Sequence, residues 1–91
     1  MTLKDESREA VTAFNEDDVL VMAKQEHERW CEEKIGFGWV YSPDRDDLHK
    51  RHDCLIPWDN LSEKIQAYDK DPVKNMIPIL DFIGYAVYRK E

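Results

Sequence analysis

Side chains with helical spacing dominate the stretch from residue 16 to residue 34. One face of this stretch carries Val19, Ala23, His27, Trp30 and Lys34, which recur every three or four residues. Asn15 is a good N-cap, and the acidic residues after it suit the positive end of a helix dipole. Gly36 is a natural stop. The pattern therefore predicts a long helix over about residues 16–34.

Two shorter helices are predicted on either side of this stretch. The first covers residues 3–13. The other begins at Asp59, Asn60 or Ser62, which are good capping residues, and it runs to about Tyr68.

A fourth helix is predicted from Asp71–Pro72 to Gly84, because aspartate suits the cap and proline suits the first helical position. Pro78 lies inside it and has no N–H to donate, so we expect a kink or a restart there. The apolar stripe of this helix consists of Val73, Met76, Ile77, Leu80 and Ile83.

Extended structure is predicted where aromatic and β-branched residues follow glycine. Gly38–Tyr41 and Tyr85–Arg89 can pair as a small antiparallel ribbon. Ser42–Asp53 is a polar loop, and loops of about twelve residues in small domains are often functional. The pattern thus predicts a mainly α (α+β) fold with about four helices and a small antiparallel β ribbon.

Length and composition limit the class of protein. With 91 residues, 42% of them hydrophobic, the chain suits one globular domain, which we divide into an N-terminal helix or extension (1–14) and the main domain (15–91). No apolar run approaches the roughly 20 residues that span a bilayer, and the charged N-terminus does not resemble a secretory signal. We therefore expect a soluble cytoplasmic protein in which Cys31 and Cys54 are reduced.

The formal charge of −7 argues against binding to nucleic acid, whose phosphates need a basic surface. Arg45, Lys50 and Arg51 can still hold a small anion locally. The aspartates between them can neutralise these cations instead, as in many solvated charged loops.

His27, Trp30 and Lys34 form the most informative set because offsets of three and seven place them on one helical face. Trp30 can stack on a planar ring, while Lys34 can meet a phosphate or carboxylate as a point charge. The alternative is that Trp30 packs in the core and His27 bonds a backbone carbonyl. Trp39, Tyr41 and Trp58 offer the same choice between pocket wall and core.

Histidine and cysteine suggest two further chemistries. His49, His52 and Cys54 follow the spacing His-x-x-His-x-Cys, which matches no standard zinc finger, so we expect no metal and no cofactor. Cys31 and His27 form an i, i+4 pair that can in principle activate a thiolate. No orienting acid is evident beside them, and we do not expect an enzyme.

The string from His27 to Tyr41 resembles the opening of the ryanodine-receptor repeat domain (RyR domain). That family reads His-x-x-Trp, a lysine four residues later, and then Gly-Trp-x-Tyr. Its His-Pro-Cys-Leu resembles His52–Leu55, and the resemblance extends over roughly residues 18–88. Ser42 stands where the family has glycine, and Asp53 stands where it has proline.

The resemblance implies binding rather than channel activity. These repeats lie outside the channel pore, pack in pairs about a pseudo-two-fold axis and are associated with adenine nucleotides and drug-like aromatic ligands. We therefore expect a small non-catalytic module that binds a planar nucleotide-like ligand by stacking on Trp30, and that forms a homodimer. The expected ligand-binding residues are His27, Trp30, Lys34, Trp39, Tyr41, Arg45 and His52. A structural or protein-interaction module without a small ligand is the alternative, and an enzyme using Cys31 and His27 is the third.

Overall fold

Helix α1 (Glu16–Gly36) is the longest element of the computed structural model, which describes the chain at residues 2–3 and 9–90. The remaining elements are β1 (Thr2–Leu3), β2 (Val40–Tyr41), β3 (Arg51–His52), a 3-10 turn (Trp58–Asn60), α2 (Glu63–Lys74), α3 (Met76–Phe82) and β4 (Tyr85–Ala86).

The start of α1 confirms the prediction made from its capping residue. The Asn15 side chain accepts a hydrogen bond from the N–H of Asp18 at 2.7 Å, which satisfies one of the free donors of the first turn. The helix ends at Gly36, two residues beyond the predicted end. The residue that turns the chain is Gly38, whose φ of 89° lies in the left-handed region that glycine tolerates.

Helices α2 and α3 together form one bent helical segment of 20 residues. The Ser62 side chain caps α2 by accepting the N–H of Ile65 at 3.3 Å. The prediction of a new helix at Asp71–Pro72 is wrong, because Pro72 lies inside α2 and the break comes at Asn75. That break places Pro78 in the first turn of α3, where no N–H has an intrahelical partner and proline costs least.

The strands pair differently from the predicted ribbon. β2 and β3 are parallel, with Val40 opposite Arg51, and β4 pairs antiparallel with β1. The loop between β2 and β3 reverses direction twice: Asp46 and Arg51 form an antiparallel bridge, and Lys50 has a φ of 55°. Because β2 pairs with β3, its backbone N–H and C=O groups are not available to pair with Tyr85–Arg89, as the predicted ribbon required.

The predicted fold class is therefore wrong in two respects. Within residues 2–3 and 9–90 the structure has one long helix and one bent helical segment, not about four helices, and no ribbon joins Gly38–Tyr41 to Tyr85–Arg89. Thr2–Leu3 forms a strand and residues 9–13 are not helical, while residues 4–8 of the predicted first helix lie outside the described residues. A helix of about eleven residues without a packed face is marginal, and pairing with β4 gives the backbone an alternative.

The core lies between α1 and the second half of the chain. Ala23 on α1 is fully buried against Trp58 and Leu61, and Cys54 and Ile65 pack around them. Other buried hydrophobic residues are Val19, Val73, Ile77 and Ala86. Among the described residues, no helix combines the length and the apolar composition needed to cross a lipid bilayer.

Candidate functional site

Five ring-bearing side chains follow one another along the inner side of α1 and the segments that pack on it. We call this set the aromatic row; in spatial order it consists of Trp58, His27, Trp30, His52 and Trp39. Successive ring centroids are 6.1, 5.9, 4.9 and 6.0 Å apart, distances at which aromatic pairs attract one another. The row therefore joins α1 and the residues that follow it with β3 and the 3-10 turn, which are distant from α1 in the sequence.

His27 anchors the row from inside the protein, since only 5% of its surface is exposed. Its Nε2 lies 2.7 Å from the carbonyl oxygen of Ile56, so this nitrogen carries the proton and donates it. The other ring nitrogen is 3.9 Å from a carboxylate oxygen of Asp69. Burial raises the pKa of Asp69, and His27 opposes that shift. The alternative considered from the sequence, a histidine that bonds a backbone carbonyl, is therefore what the structure shows.

Trp30 is partly exposed and stands between two histidines. The His27 ring is nearly parallel to it, with an interplanar angle of 20°, and the His52 ring meets it edge-on at 77°. These neighbours fix the plane of the indole and leave part of it open to solvent. A fixed, partly exposed indole can accept a planar ring by stacking.

Lys34 and Trp39 form the end of the row. The Lys34 ammonium lies 4.9 Å from the centroid of the Trp39 ring, within the range of a cation–π contact. Both side chains are half-buried. Their separation is set by the helix end, because the N–H of Trp39 donates to the carbonyl of Lys34.

His52 is held by its own loop. Its Nδ1 accepts the N–H of Cys54 at 3.0 Å, which requires the unprotonated nitrogen. Burial lowers the pKa of His52, and the Arg45 guanidinium lowers it further, against the opposing effect of Asp53. Tyr41 lies opposite His52 in the parallel pairing and is exposed.

Arg45 borders the row but is already paired. Its guanidinium donates two hydrogen bonds to the carboxylate of Asp47, at 2.8 and 3.2 Å. The pair is exposed, and the same bonds lower the pKa of Asp47. Lys50 donates to the carbonyl of Phe37 at 2.9 Å. An anionic ligand would therefore compete with existing partners for both cations.

The structure brings five of the seven predicted site residues into direct contact: His27, Trp30, Lys34, Trp39 and His52. Tyr41 and Arg45 lie at the edge of the same surface. The sequence allows Trp58 to be either pocket wall or core, and at 9% exposure it packs in the core. The carbonyl of Ile56, which orients His27, was missed, because no sequence signal marks a backbone acceptor.

Cys31 and His27 are in contact, but the Cys31 thiol is not activated as the sequence suggested it could be. The Cys31 Sγ lies 3.4 Å from the Nε2 of His27, yet that nitrogen donates to Ile56 and has no free lone pair for a proton. Burial raises the pKa of Cys31, and the negative charge of Asp69 raises it further. A thiol in this environment stays protonated at neutral pH.

His52, Asp53 and Cys54 place one donor atom each within 4.8 Å of one another. The Nδ1 of His52 already accepts the Cys54 N–H, so a metal bound at this nitrogen would have to displace that hydrogen bond. Burial also raises the pKa of the Cys54 thiol, whereas a metal ligand must lose that proton. The absence of a metal remains a prediction.

The model of the RyR domain family matches residues 5–89, nearly the whole chain. The chain therefore belongs to the RyR domain family, and the resemblance drawn from His27–Tyr41 is confirmed. The expectation that this small domain is not an enzyme stays a prediction. The match does not identify a ligand.

Proposed function

We propose that this RyR domain binds a planar, anionic, nucleotide-like molecule noncovalently, with the base stacked on Trp30. The observation that carries the proposal is the fixed orientation of a partly exposed indole between His27 and His52. Stacking on an aromatic side chain contributes about 1–3 kcal/mol per base, and an indole that is already oriented loses little entropy on binding.

Charge on the same surface supports an anionic ligand. Lys34 is half-buried beside Trp39, and Arg45 lies close enough to His52 to lower its pKa. Both cations can turn toward a phosphate, although Arg45 must leave Asp47 to do so. The protein carries a net charge of −7, so these two local cations have to outweigh a repulsive background.

The seven predicted residues have different roles in this proposal. Trp30 and Trp39 offer ring faces, and Lys34 and Arg45 offer charge. The remaining three are support: His27 and His52 orient Trp30, and Tyr41 extends the surface at its exposed edge.

The test is a titration of the chain with ATP, with adenosine and with inorganic phosphate, followed by calorimetry. We expect ATP to bind more tightly than adenosine and phosphate not to bind alone. Trp30→Ala should weaken ATP binding about tenfold or more. Tyr68→Ala, which removes an exposed aromatic side chain on α2, is the matched control and should bind as the parent does.

Equal binding by Trp30→Ala and the parent chain would contradict stacking on this residue. Lys34→Met distinguishes the contribution of the lysine charge from that of stacking on Trp30. It should weaken ATP binding but leave adenosine binding unchanged. The nucleotide should be recovered unaltered after incubation, because the proposal includes no turnover. The cytoplasmic location expected from the composition stays a prediction.

A module that binds another protein is the second candidate, and exposed apolar side chains on α3 favour it. Phe82 is 91% exposed and Ile79 is 62% exposed. Exposed apolar patches of this kind mark association surfaces. If no nucleotide raises the melting temperature while a protein partner does, this candidate replaces the first.

A further inference from the structure

A groove of about 550 Å³ runs along α1 on the face next to the aromatic row. Its floor is apolar and consists of Cys31, Ile35, Leu55, Ile56 and Trp58. His27 and Trp58 contribute to both surfaces and lie at the boundary between them. Trp30 and Lys34, the central residues of the proposed nucleotide site, do not line this groove.

The rim of the groove is predominantly acidic. Glu28 and Glu32 stand one helical turn apart on α1, and Asp59 faces them from the 3-10 turn. In the part of the chain that the structure describes, Lys24 is the one cation that lines it. All four side chains are exposed, so they are free to meet charges on a ligand. The rim therefore favours a ligand that combines apolar surface with positive charge.

One wall of the groove offers unpaired backbone. Leu55 lies outside any helix or strand, and its N–H and C=O make no hydrogen bond within the described part of the chain. The residue is only half-buried. Unpaired backbone groups beside an apolar groove can be satisfied by an extended peptide that lies alongside them.

The length of the groove fits a peptide better than a small cation. The lining residues of α1 extend from Lys24 to Ile35, which is about 16 Å along the helix axis. An extended chain advances about 3.3 Å per residue, so about five residues fill this length.

We propose that the groove binds a short extended peptide segment of another protein, with basic residues flanking an apolar centre. The apolar side chains lie over Ile35 and Trp58, the basic ends meet the carboxylates of Glu28, Glu32 and Asp59, and the peptide backbone pairs with Leu55. The groove does not include Trp30 or Lys34, which the nucleotide test changes, so either proposal can fail without the other.

The experiment uses the full chain and three capped pentapeptides: Lys-Leu-Val-Leu-Lys, Glu-Leu-Val-Leu-Glu and Ser-Leu-Val-Leu-Ser. Calorimetry should detect binding of the basic peptide below about 1 mM and of neither other peptide. The double variant Glu28→Gln, Glu32→Gln should weaken that binding about tenfold, because it removes two exposed ion pairs. Added salt should weaken it as well.

The matched control is Glu9→Gln, Asp71→Asn, which removes the same charge from exposed positions that do not line the groove. It should change the affinity less than twofold. Three results would overturn the proposal: no binding of the basic peptide, equal binding of the serine peptide, or equal losses in both double variants. Circular dichroism and the melting temperature show that each variant is folded.

Discussion

The carbonyl oxygen of Lys34 accepts the N–H of Trp39 at 3.0 Å, and the Lys34 ammonium lies 4.9 Å from the centroid of the Trp39 ring. The two contacts belong to one capping motif, in which the N–H of Gly38 also donates to Ile35. Helix termination and placement of the cation at the aromatic row are thus achieved by the same residues. A substitution in this C-terminal cap of α1 should therefore also shift Lys34 and Trp39 at the candidate site.

Gly38→Ala should destabilise the protein by about 1–2 kcal/mol, because a Cβ is strained at a φ of 89° even where no neighbour lies within 4 Å. Gly36→Ala is the matched control. Gly36 is the last residue of α1, has no positive φ and has open space around its Cα, so alanine there should be neutral or slightly stabilising. Urea unfolding measures both variants. Equal stability of the two would show that Gly38 does not carry the turn.

His27→Ala should cost about 2–4 kcal/mol of unfolding free energy, since it leaves a cavity and deprives the Ile56 carbonyl of its donor. The Trp30 indole also loses a neighbouring ring, and its fluorescence should change in the folded state. His49→Ala serves as control because His49 is exposed and, among the described residues, bonds only the nearby Asp46. A loss below about 0.5 kcal/mol for His27→Ala would place that side chain outside the packing that holds the row.

The stability of the protein should fall as the pH is lowered below the ordinary pKa of histidine. Burial lowers the pKa of His52 from its usual 6.5, so the unfolded chain binds a proton that the folded chain resists. Unfolding therefore becomes easier from about pH 6.5 down to the lowered folded pKa. Asp69 acts in the opposite direction at lower pH, because its raised pKa lets the folded state hold a proton longer.

The variant His52→Gln isolates this effect. Glutamine can accept the Cys54 N–H but does not titrate, so the fall in stability between pH 7 and pH 5 should become shallower. Chemical denaturation at several pH values gives the comparison. The same pH slope in both chains would assign the dependence to other groups.

Gly84→Val should lower the melting temperature by roughly 10 °C, which corresponds to about 2 kcal/mol in a domain of this size. Gly84 follows α3 at a φ of 93°, a conformation that β-branched residues avoid. This confirms that the glycine caps the helix at positive φ, as its place after an apolar stripe predicted. Gly84→Asn should cost less, because asparagine tolerates the left-handed region. An unchanged melting temperature in Gly84→Val would contradict the role of the cap.

The sequence was informative where the cause is local. Asn15 begins α1, and Val19, Ala23 and His27 form its buried face, because capping chemistry and helical period act over a few residues. It failed at Pro72, which is a good first residue of a helix but is also tolerated inside a bent one. At Pro72 the local preference for a helix start competes with continuation of α2, and the packing of the folded chain favours continuation.

Strand pairing was predicted poorly for a related reason. β2 and β4 have similar composition, and nothing in two-residue strands specifies a partner. The loop geometry that brings β3 beside β2 depends on Lys50 at positive φ, which no pattern indicates. The candidate site was easier to locate, since three of its residues lie on one face of α1. The contacts of His52 with Trp30 and Trp39 are visible only in the structure.

We propose that two copies of the chain associate through the exposed apolar side of α3. The homodimer expected from the sequence stays a prediction, and the exposed apolar side chains of α3 are where we expect it to form. The exposed fractions along this surface are 41% for Met76, 62% for Ile79, 91% for Phe82, 61% for Ile83 and 39% for Tyr85. They amount to about 500 Å² of apolar surface, somewhat below the roughly 800 Å² that each partner buries in a standard interface.

Charge permits this contact despite a net charge of −7. Residues 72–88 contain one lysine and one aspartate, so the surface of α3 is neutral while the acidic residues lie elsewhere. Salt at physiological strength screens their repulsion beyond about 8 Å.

Sedimentation equilibrium at about 100 µM, well within the range of weak dimers, should show a dimer of the parent chain. Phe82→Ser should shift it toward monomer, whereas Leu48→Ser, at a loop residue that is 86% exposed, should not. A monomer in all three chains, with and without nucleotide, would contradict association through α3.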